Sequence, residues 1–376
     1  RAWVWKYTRA KVVAKVEEER ELFDDYDEES AAVADKPEAI SQLPEKNGTI
    51  DPEPPEKEVQ TKTLPFEKGN HEKNALLFLK HVSPLARAMK QYFRFNGKYW
   101  QLYEDDQVER DVQKALRGRD FPMATINNTI TTVRRFSTQD AFKSHPTIIT
   151  FRNGCVNLEG WDMGLVDTTL LKHDRKYRST SMLDFDFDPD AKCPQWLLFL
   201  DQIFEGDDER KRTLQQFMGY ILVHDYRFQR ILLCVGKSRS GKGTIMNNII
   251  PALVGRDSFA ATTLSNMAGD HGLAALMYAK VAVIGDAHHG VRDRIGRAKE
   301  VILNISGNDY VAVNPKQKAE ITMQIPARMI MSANEQPRFA DGMDALANRY
   351  LILPFNRSFA GREDPNLARK LKDELS

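Results

Sequence analysis

The stretch that most constrains this chain is Ile231-Leu-Leu-Cys-Val-Gly-Lys-Ser-Arg-Ser-Gly-Lys-Gly-Thr-Ile245. It joins a short apolar run, a glycine-bounded loop and a helix start. Ile231 to Val235 predicts a buried strand, and Gly236 and Gly241 let backbone N–H groups turn inward around phosphate oxygens. Lys242 brings a positive charge to the β- and γ-phosphates, and the helix that follows turns the positive end of its dipole toward them. Lys237, Ser238, Arg239 and Ser240 complete the loop, so the whole run Gly236 to Thr244 is the expected nucleotide contact. The spacing is G-x-x-x-x-G-K, but Gly243 stands where Ser or Thr is usual. Thr244 must then carry the hydroxyl toward magnesium, directly or through water. The plainer alternative is a glycine turn with a surface lysine; strand, loop and helix in this order argue against it.

A chain of 376 residues with 41% hydrophobic content supports a sizeable core and more than one domain. The net charge of +1 hides an asymmetry. Acid dominates early, in Glu17-Glu-Glu, Asp24-Asp25, Asp27-Glu-Glu and Asp51 to Glu58, whereas the part after Ile231 is mildly basic. That excess permits nucleic-acid binding without arguing for it. Cys155, Cys193 and Cys234 are far apart and lack paired metal spacing, which fits a reduced, cytoplasmic setting better than a disulfide framework. No apolar run approaches a membrane span and no signal segment is visible, so no membrane partner is expected. The chain starts at Arg1 rather than Met, and we expect an upstream module.

Five segments follow in order. Residues 1–20 predict a helix, with Val12, Val13 and Val16 on one face, connecting to that upstream module. Residues 21–69 are acidic and proline-rich and read as a linker. Residues 70–146 predict a mainly helical domain, with a helix over 71–92, a hairpin turning on Asn96-Gly97, and helices at 108–116 and 123–136. Tyr99 or Trp100 could stack on bases from that hairpin, although alternating aromatics are more often core. Residues 147–225 hold a second hairpin turning on Asn153-Gly154, a helix opening at Pro194, and a helix capped by Asp207 or Asp208 with Leu214, Phe217, Met218, Ile221 and Leu222 on its apolar face. Residues 226–376 alternate helix and strand: the loop helix to Leu253, strands at 280–284, 327–333 and 350–354, a helix at 293–305 and a two-strand element around Asn314-Pro315. Such alternation predicts an α/β fold with a mostly parallel sheet and helices on its faces.

A nucleotide hydrolase needs more than a phosphate cradle, and three candidates stand near strand ends, where ligands of open α/β sheets bind. Asp286 would hold magnesium's water shell and help deprotonate the attacking water, Asn334 would hold that water or the γ-phosphate, and Arg349 would stabilise charge on the transferring phosphoryl group. Each has a plainer reading alone: a turn residue, a loop cap and a surface ion pair.

From about Phe151 onward the chain closely resembles the helicase part of phage and plasmid primase-helicases, the superfamily III helicases related to poxvirus primase-helicase. The likeness is carried by Phe151-Arg-Asn-Gly154, Cys193-Pro-Gln-Trp196, Gly219-Tyr220, the loop Gly236 to Thr244, Val281-Ala-Val-Ile-Gly-Asp-Ala287 and Ile305-Ser-Gly-Asn-Asp309. It continues through Lys316, Ser332-Ala-Asn-Glu-Gln-Pro337, Asn348-Arg349, Pro354-Phe355 and Arg357-Ser-Phe-Ala-Gly-Arg-Glu-Asp364. The stretch from Asn70 to Phe136 is similar, more weakly, to the helical domain that precedes the motor in these proteins.

The resemblance implies an AAA+ type P-loop ATPase using ATP and magnesium. It implies a homo-oligomeric ring, usually of six subunits, moving 3′ to 5′ on single-stranded DNA, with a primase or polymerase module upstream. Lys242, Asp286, Asn334 and Arg349 then match its catalytic residues, with Thr244 and Asp286 toward the metal and Arg349 reaching a neighbour's site. Lys316 and Lys318 fall on its DNA-tracking hairpin; on physical grounds alone they are two lysines on a turn. The family often has two acids where this chain has Gly285 before Asp286. A nucleotide-gated scaffold, an RNA-directed helicase and a small-molecule phosphotransferase stay open as alternatives.

Overall fold

The computed structural model describes residues 64–82, 84–88, 91–116, 121–138, 143–159, 168–285, 292–316, 319–334 and 344–375. The expected helix at 1–20 and nearly all of the expected linker lie outside the described residues.

The first unit mixes helices with a small sheet. Helix α1 (His71–Leu77) is capped by Asn70, whose side chain accepts from Lys73 N, and runs into a π-helical turn at Phe78–Val82. The helix expected over 71–92 therefore stops at Val82. Pro84 cannot continue it, and the chain instead forms β1 (Leu85–Ala88), paired antiparallel with β2 (Gln91–Phe95), which pairs with β3 (Trp100–Tyr103). The second of these pairs is the hairpin expected at Asn96-Gly97, where Gly97 takes a φ of 92°. Helices α2 (Asp105–Leu116) and α3 (Met123–Ser137) complete the unit. Helix α3 tolerates its threonines because Thr129 and Thr132 donate their hydroxyls back to Thr125 O and Asn128 O, so no polar group is stranded. Phe78, Tyr92, Val108, Val112, Leu116 and Val133 share one core.

A second hairpin, β4 (Ile148–Phe151) and β5 (Gly154–Asn157), pairs Phe151 with Gly154. Its turn is thus Arg152-Asn153, one residue earlier than expected. Gly154 belongs to the strand because a Cβ there would stand 2.6 Å from Leu171 O. Helix α4 (Pro194–Phe204) opens with proline in its first turn, and α5 (Asp208–Tyr220) is capped by Asp207, which accepts from Glu209 N and Arg210 N. Leu214, Phe217, Met218, Ile221 and Leu222 are all buried, as the periodicity indicated.

The remainder is built on β6 (Ile231–Gly236), β7 (Phe259–Thr262), β8 (Val281–Ile284), β11 (Arg328–Ala333) and β12 (Tyr350–Phe355), in the spatial order β12-β6-β11-β8-β7. All four pairings are parallel. Numbered by their order along the chain, the strands lie 5-1-4-3-2. Apolar side chains alternate across the sheet, so both faces are covered. Leu232, Cys234, Val283 and Ile330 face a core shared with α4 and α5, while Ile231, Leu233, Ala282 and Met331 face the opposite core. The edge strand β7 gives little sequence signal, since Phe-Ala-Ala-Thr lacks a β-branched run.

After the loop, α6 (Lys242–Thr244), a π-helical turn (Ile245–Ile249) and α7 (Ile250–Val254) form one nearly continuous helix. Helix α8 (Leu264–Met267) follows β7, and α9 (Arg292–Gly307) follows β8. An antiparallel pair, β9 (Tyr310–Val313) and β10 (Ile321–Gln324), is the two-strand element expected around Asn314-Pro315. Helices α10 (Asp344–Ala347) and α11 (Leu367–Asp373) close the chain. Cys155, Cys193 and Cys234 are buried and form no disulfide among the described residues. No helix among the described residues is long and apolar enough to cross a membrane.

Candidate nucleotide site

The loop from Gly236 to Thr244 joins the C-terminal end of β6 to α6, at the carboxyl edge of the sheet. Its two outer glycines are there for separate reasons. A Cβ on Gly236 would stand 2.0 Å from Phe355 O of the neighbouring strand, so only glycine lets β12 pair at that position. Gly241 takes a φ of 93°, and a Cβ there would meet Ile203 Cγ2 of α4 at 2.9 Å. Helix α4 therefore forms the floor under the loop.

Lys242 is buried, and its ammonium donates to Gly236 O, to Lys237 O (2.8 Å) and to Ser240 Oγ (3.3 Å). Burial holds its pKa below the ordinary lysine value. The charge is thus fixed inside the loop's own ring of oxygens. Ser240 is buried beside it, whereas Lys237, Ser238 and Arg239 are exposed. Thr244 is half-buried and is the third residue of α6. Gly243 is exposed, and a Cβ there would come no nearer than 3.8 Å, to Asn247 Nδ2. Glycine at 243 is therefore not imposed by space.

The outer wall of the loop comes from residues that the sequence showed only as part of a resemblance. Phe359 N donates to Arg239 O (2.8 Å), Ser358 Oγ donates to Ser238 O (3.1 Å), and Glu363 pairs with the Arg239 guanidinium. Hydrogen bonds from backbone N–H groups and from Arg239 hold the Glu363 carboxyl below its usual range. Glu374 reaches the same side: its two carboxylate oxygens accept from Gln195 N and Trp196 N, both at 2.8 Å, and so cap α4. Nothing in their local sequence signals these long-range braces, because their partners lie more than a hundred residues away.

The register places the other candidates. Ala333 pairs with Val235, so Asn334 emerges exposed at the carboxyl edge beside the loop strand. Ile284 pairs with Met331, which brings Gly285 to the same edge one strand further. Asp286, expected to act there, lies outside the described residues. Arg349 is at the other end: Tyr350 pairs with Ile231 and Phe355 with Gly236. At about 3.3 Å per residue, roughly 17 Å of strand separates Arg349 from the loop of its own chain. Its side chain donates to Leu303 O and Ser306 Oγ at the end of α9.

Lys316 is exposed on the connection between β9 and β10, and Lys318 lies outside the described residues. Trp100 does not offer its face to solvent. It is buried, packs on Phe95 with ring centroids 5.5 Å apart, and donates its indole N–H to Arg175 O at 3.0 Å.

Residues 84–205 match a family described as D5 N terminal like. Residues 234–349 match a family of unknown function, DUF5906. The second span opens within β6 and closes on Arg349, so it holds the loop, Asn334 and Arg349 together. Among solved structures, the chain is similar to an apo structure of the NrS-1 C terminal region (305–718), with a TM-score of 0.54, 12% identity, and coverage of 82% of this chain and 67% of that one. It is also similar to an A form apo structure of the same region, with a TM-score of 0.53, 11% identity, and coverage of 81% and 67%. A further A form structure gives a TM-score of 0.51 at 10% identity, covering 80% and 65%. At these identities the likeness concerns the fold, and the chain spans about two thirds of those proteins' lengths.

Proposed function

We propose that this chain is the ATP-driven DNA helicase module of a replication protein of the primase-helicase kind, acting as a homo-oligomeric ring on single-stranded DNA in the 3′ to 5′ direction. The observation that carries the reading is the all-parallel 5-1-4-3-2 sheet, which is the arrangement expected of an AAA+ type ATPase. In it the candidate phosphate loop leaves β6, the second strand of the sheet, Asn334 follows the neighbouring strand β11 at the same edge, and Arg349 stands at the opposite edge. That separation from its own loop supports a neighbouring subunit's nucleotide as the partner of Arg349. The D5 N terminal like match over 84–205 agrees with the resemblance of the motor region.

The residues fit a nucleoside triphosphate. Gly236 and Gly241 keep the loop open to phosphate, and Lys242 moves its ammonium from loop oxygens to the β- and γ-phosphates. Asn334 orients the attacking water. Thr244 and Asp286 are the donors for magnesium, which neutralises charge developing on the phosphates. Lys316, exposed at the β9–β10 connection, is the residue we assign to the DNA backbone, with Lys318, outside the described residues, as its expected companion.

The test is ATP hydrolysis with and without single-stranded DNA, using Lys242→Ala as the blank. Hydrolysis stimulated by DNA and abolished in a folded Lys242→Ala protein is the expected result. Retained turnover in that variant would sink the loop assignment. ATP binding without DNA-stimulated hydrolysis would move the reading to a nucleotide-gated scaffold.

A further inference from the structure

Ile305-Ser-Gly-Asn-Asp309 ends α9 directly against Arg349. Ser306 Oγ accepts from Arg349 Nη1 at 2.6 Å and donates in turn to Ile302 O at 2.7 Å. The same guanidinium nitrogen donates to Leu303 O near the end of α9, a carbonyl that also accepts from Ser306 Oγ at 3.1 Å. Gly307 leaves room beside this contact: a Cβ there would stand 2.8 Å from Asp309 Oδ2 and 3.2 Å from Arg349 Nη1, so a side chain at 307 crowds both. Asn308 then turns into the left-handed region, with a φ of 60°, and its carbonyl accepts from Gln324 Nε2 at 2.7 Å, which ties the helix end to β10.

The backbone of Arg349 is fixed as well. Arg349 N donates to Leu346 O at 3.0 Å, and Arg349 O accepts from Ile231 N at 2.8 Å. Only the side chain is free to change partners. Those partners are a carbonyl and a hydroxyl, and among the described residues no carboxylate holds the guanidinium. Hydrogen bonds to charged oxygens are roughly twice as strong as those to neutral ones. A phosphate brought within reach therefore wins the guanidinium from this hold.

We propose that Ser306 is a positioning residue for Arg349. It holds the guanidinium against the end of α9 in its own subunit, and release from that hold delivers Arg349 to the phosphates of the neighbouring subunit. The inference rests on the ring-ATPase reading above. Helix α9 suits the task, since its 16 residues span about 24 Å. That is enough to run from the carboxyl edge, which the chain leaves after β8, back to the edge where Arg349 sits.

The experiment measures kcat and KM for ATP, together with Tm, on the full chain and its variants. Ser306→Ala removes one of the two acceptors and is expected to raise kcat about fivefold with little change in KM. Ser306→Thr keeps the hydroxyl and is expected to behave as the parent does. Gly307→Ala crowds the guanidinium from the other side and is expected to raise kcat in the same way, which covers the case of a poorly folding Ser306→Ala. In an Arg349→Ala background neither change is expected to have any effect. A kcat at or below the parent's in both variants at unchanged Tm overturns the hold, as does an equal rise without Arg349. Those results leave the ring-ATPase reading standing. A parental rate in Arg349→Ala alone removes the finger itself, and a parent protein without hydrolysis removes the motor; either takes this proposal with it.

Discussion

Lys280→Met is expected to stabilise the fold at neutral pH, and the gain is expected to vanish in alkali. Lys280 immediately precedes the strand β8 and is 8% exposed. Its backbone is locked between Ser258 O, which accepts from its N–H, and Arg328 N, which donates to its carbonyl. Burial, reinforced by the Arg328 charge, pushes the ammonium pKa down to about 8 from 10.5. His224, half-buried nearby, is pushed well below its ordinary value by desolvation and by the charges of Lys280 and Arg328. The Arg328 guanidinium donates to Val223 O and Asp225 O and stacks 3.8 Å from the centroid of Tyr226, while its buried Nε has no hydrogen-bond partner among the described residues. The cluster is thus rich in positive charge, and Lys280 is its costly member. At 1.36 kcal/mol per pKa unit, holding that lysine charged in the fold costs about 3 kcal/mol. Below pH 8 both states carry the proton and the whole cost is present. Between about pH 8 and 10.5 the unfolded chain keeps a proton that the fold has lost, so stability rises with pH. Urea denaturation of both proteins at pH 7, 8.5, 9.5 and 10.5 reads the difference. Lys280→Met should lead by up to about 3 kcal/mol at pH 7 and converge on the parent by pH 10.5. A difference flat across this range, or a variant less stable at pH 7, would refute the reasoning.

Three further outcomes follow from the loop and its strands. Gly236→Ala should lower stability by about 3 kcal/mol and abolish nucleotide binding, because its methyl must displace the paired Phe355 carbonyl; a parental Tm would contradict this. Thr244→Ala should lose magnesium-dependent hydrolysis at least tenfold, and adding Gly243→Ser should restore part of it, since the site at 243 has room for a side chain. Full activity of Thr244→Ala would remove that hydroxyl from the metal site. Gly285→Asp should leave Tm unchanged, as no atom of the described residues beyond its chain neighbours lies within 4 Å of a Cβ there, and should raise the hydrolysis rate if a single acid limits it. A large drop in Tm would show the space to be misjudged.

The local pattern of this chain was enough to predict the glycine-bounded loop between β6 and α6, the cap at Asp207, the hairpin at Asn96-Gly97 and the strands β6, β8, β11 and β12. These features depend on neighbours a few residues away: a glycine beside a lysine, an aspartate before a helix, an unbroken apolar run. Where local pattern and pairing competed, pairing won. The apolar stretch after His71 read as one long helix, yet Leu85–Ala88 became a strand because β2 was there to receive it. The edge strand β7 exists for the same reason, despite its weak propensity. Trp100 carried no mark in the sequence to separate a stacking surface from a core residue; the fold decided by bringing Arg175 O to its indole N–H. For Arg349 the local pattern offered only a candidate and the resemblance implied a neighbour's site; what tertiary structure adds is the strand register that sets it at the opposite edge from its own loop, and the end of α9 that holds its side chain. Glu363 and Glu374 complete the contrast. Each is an ordinary surface acid in the sequence, and only a chain folded back on itself places one on Arg239 and the other on the first turn of α4, because such contacts depend on tertiary packing that no local pattern encodes.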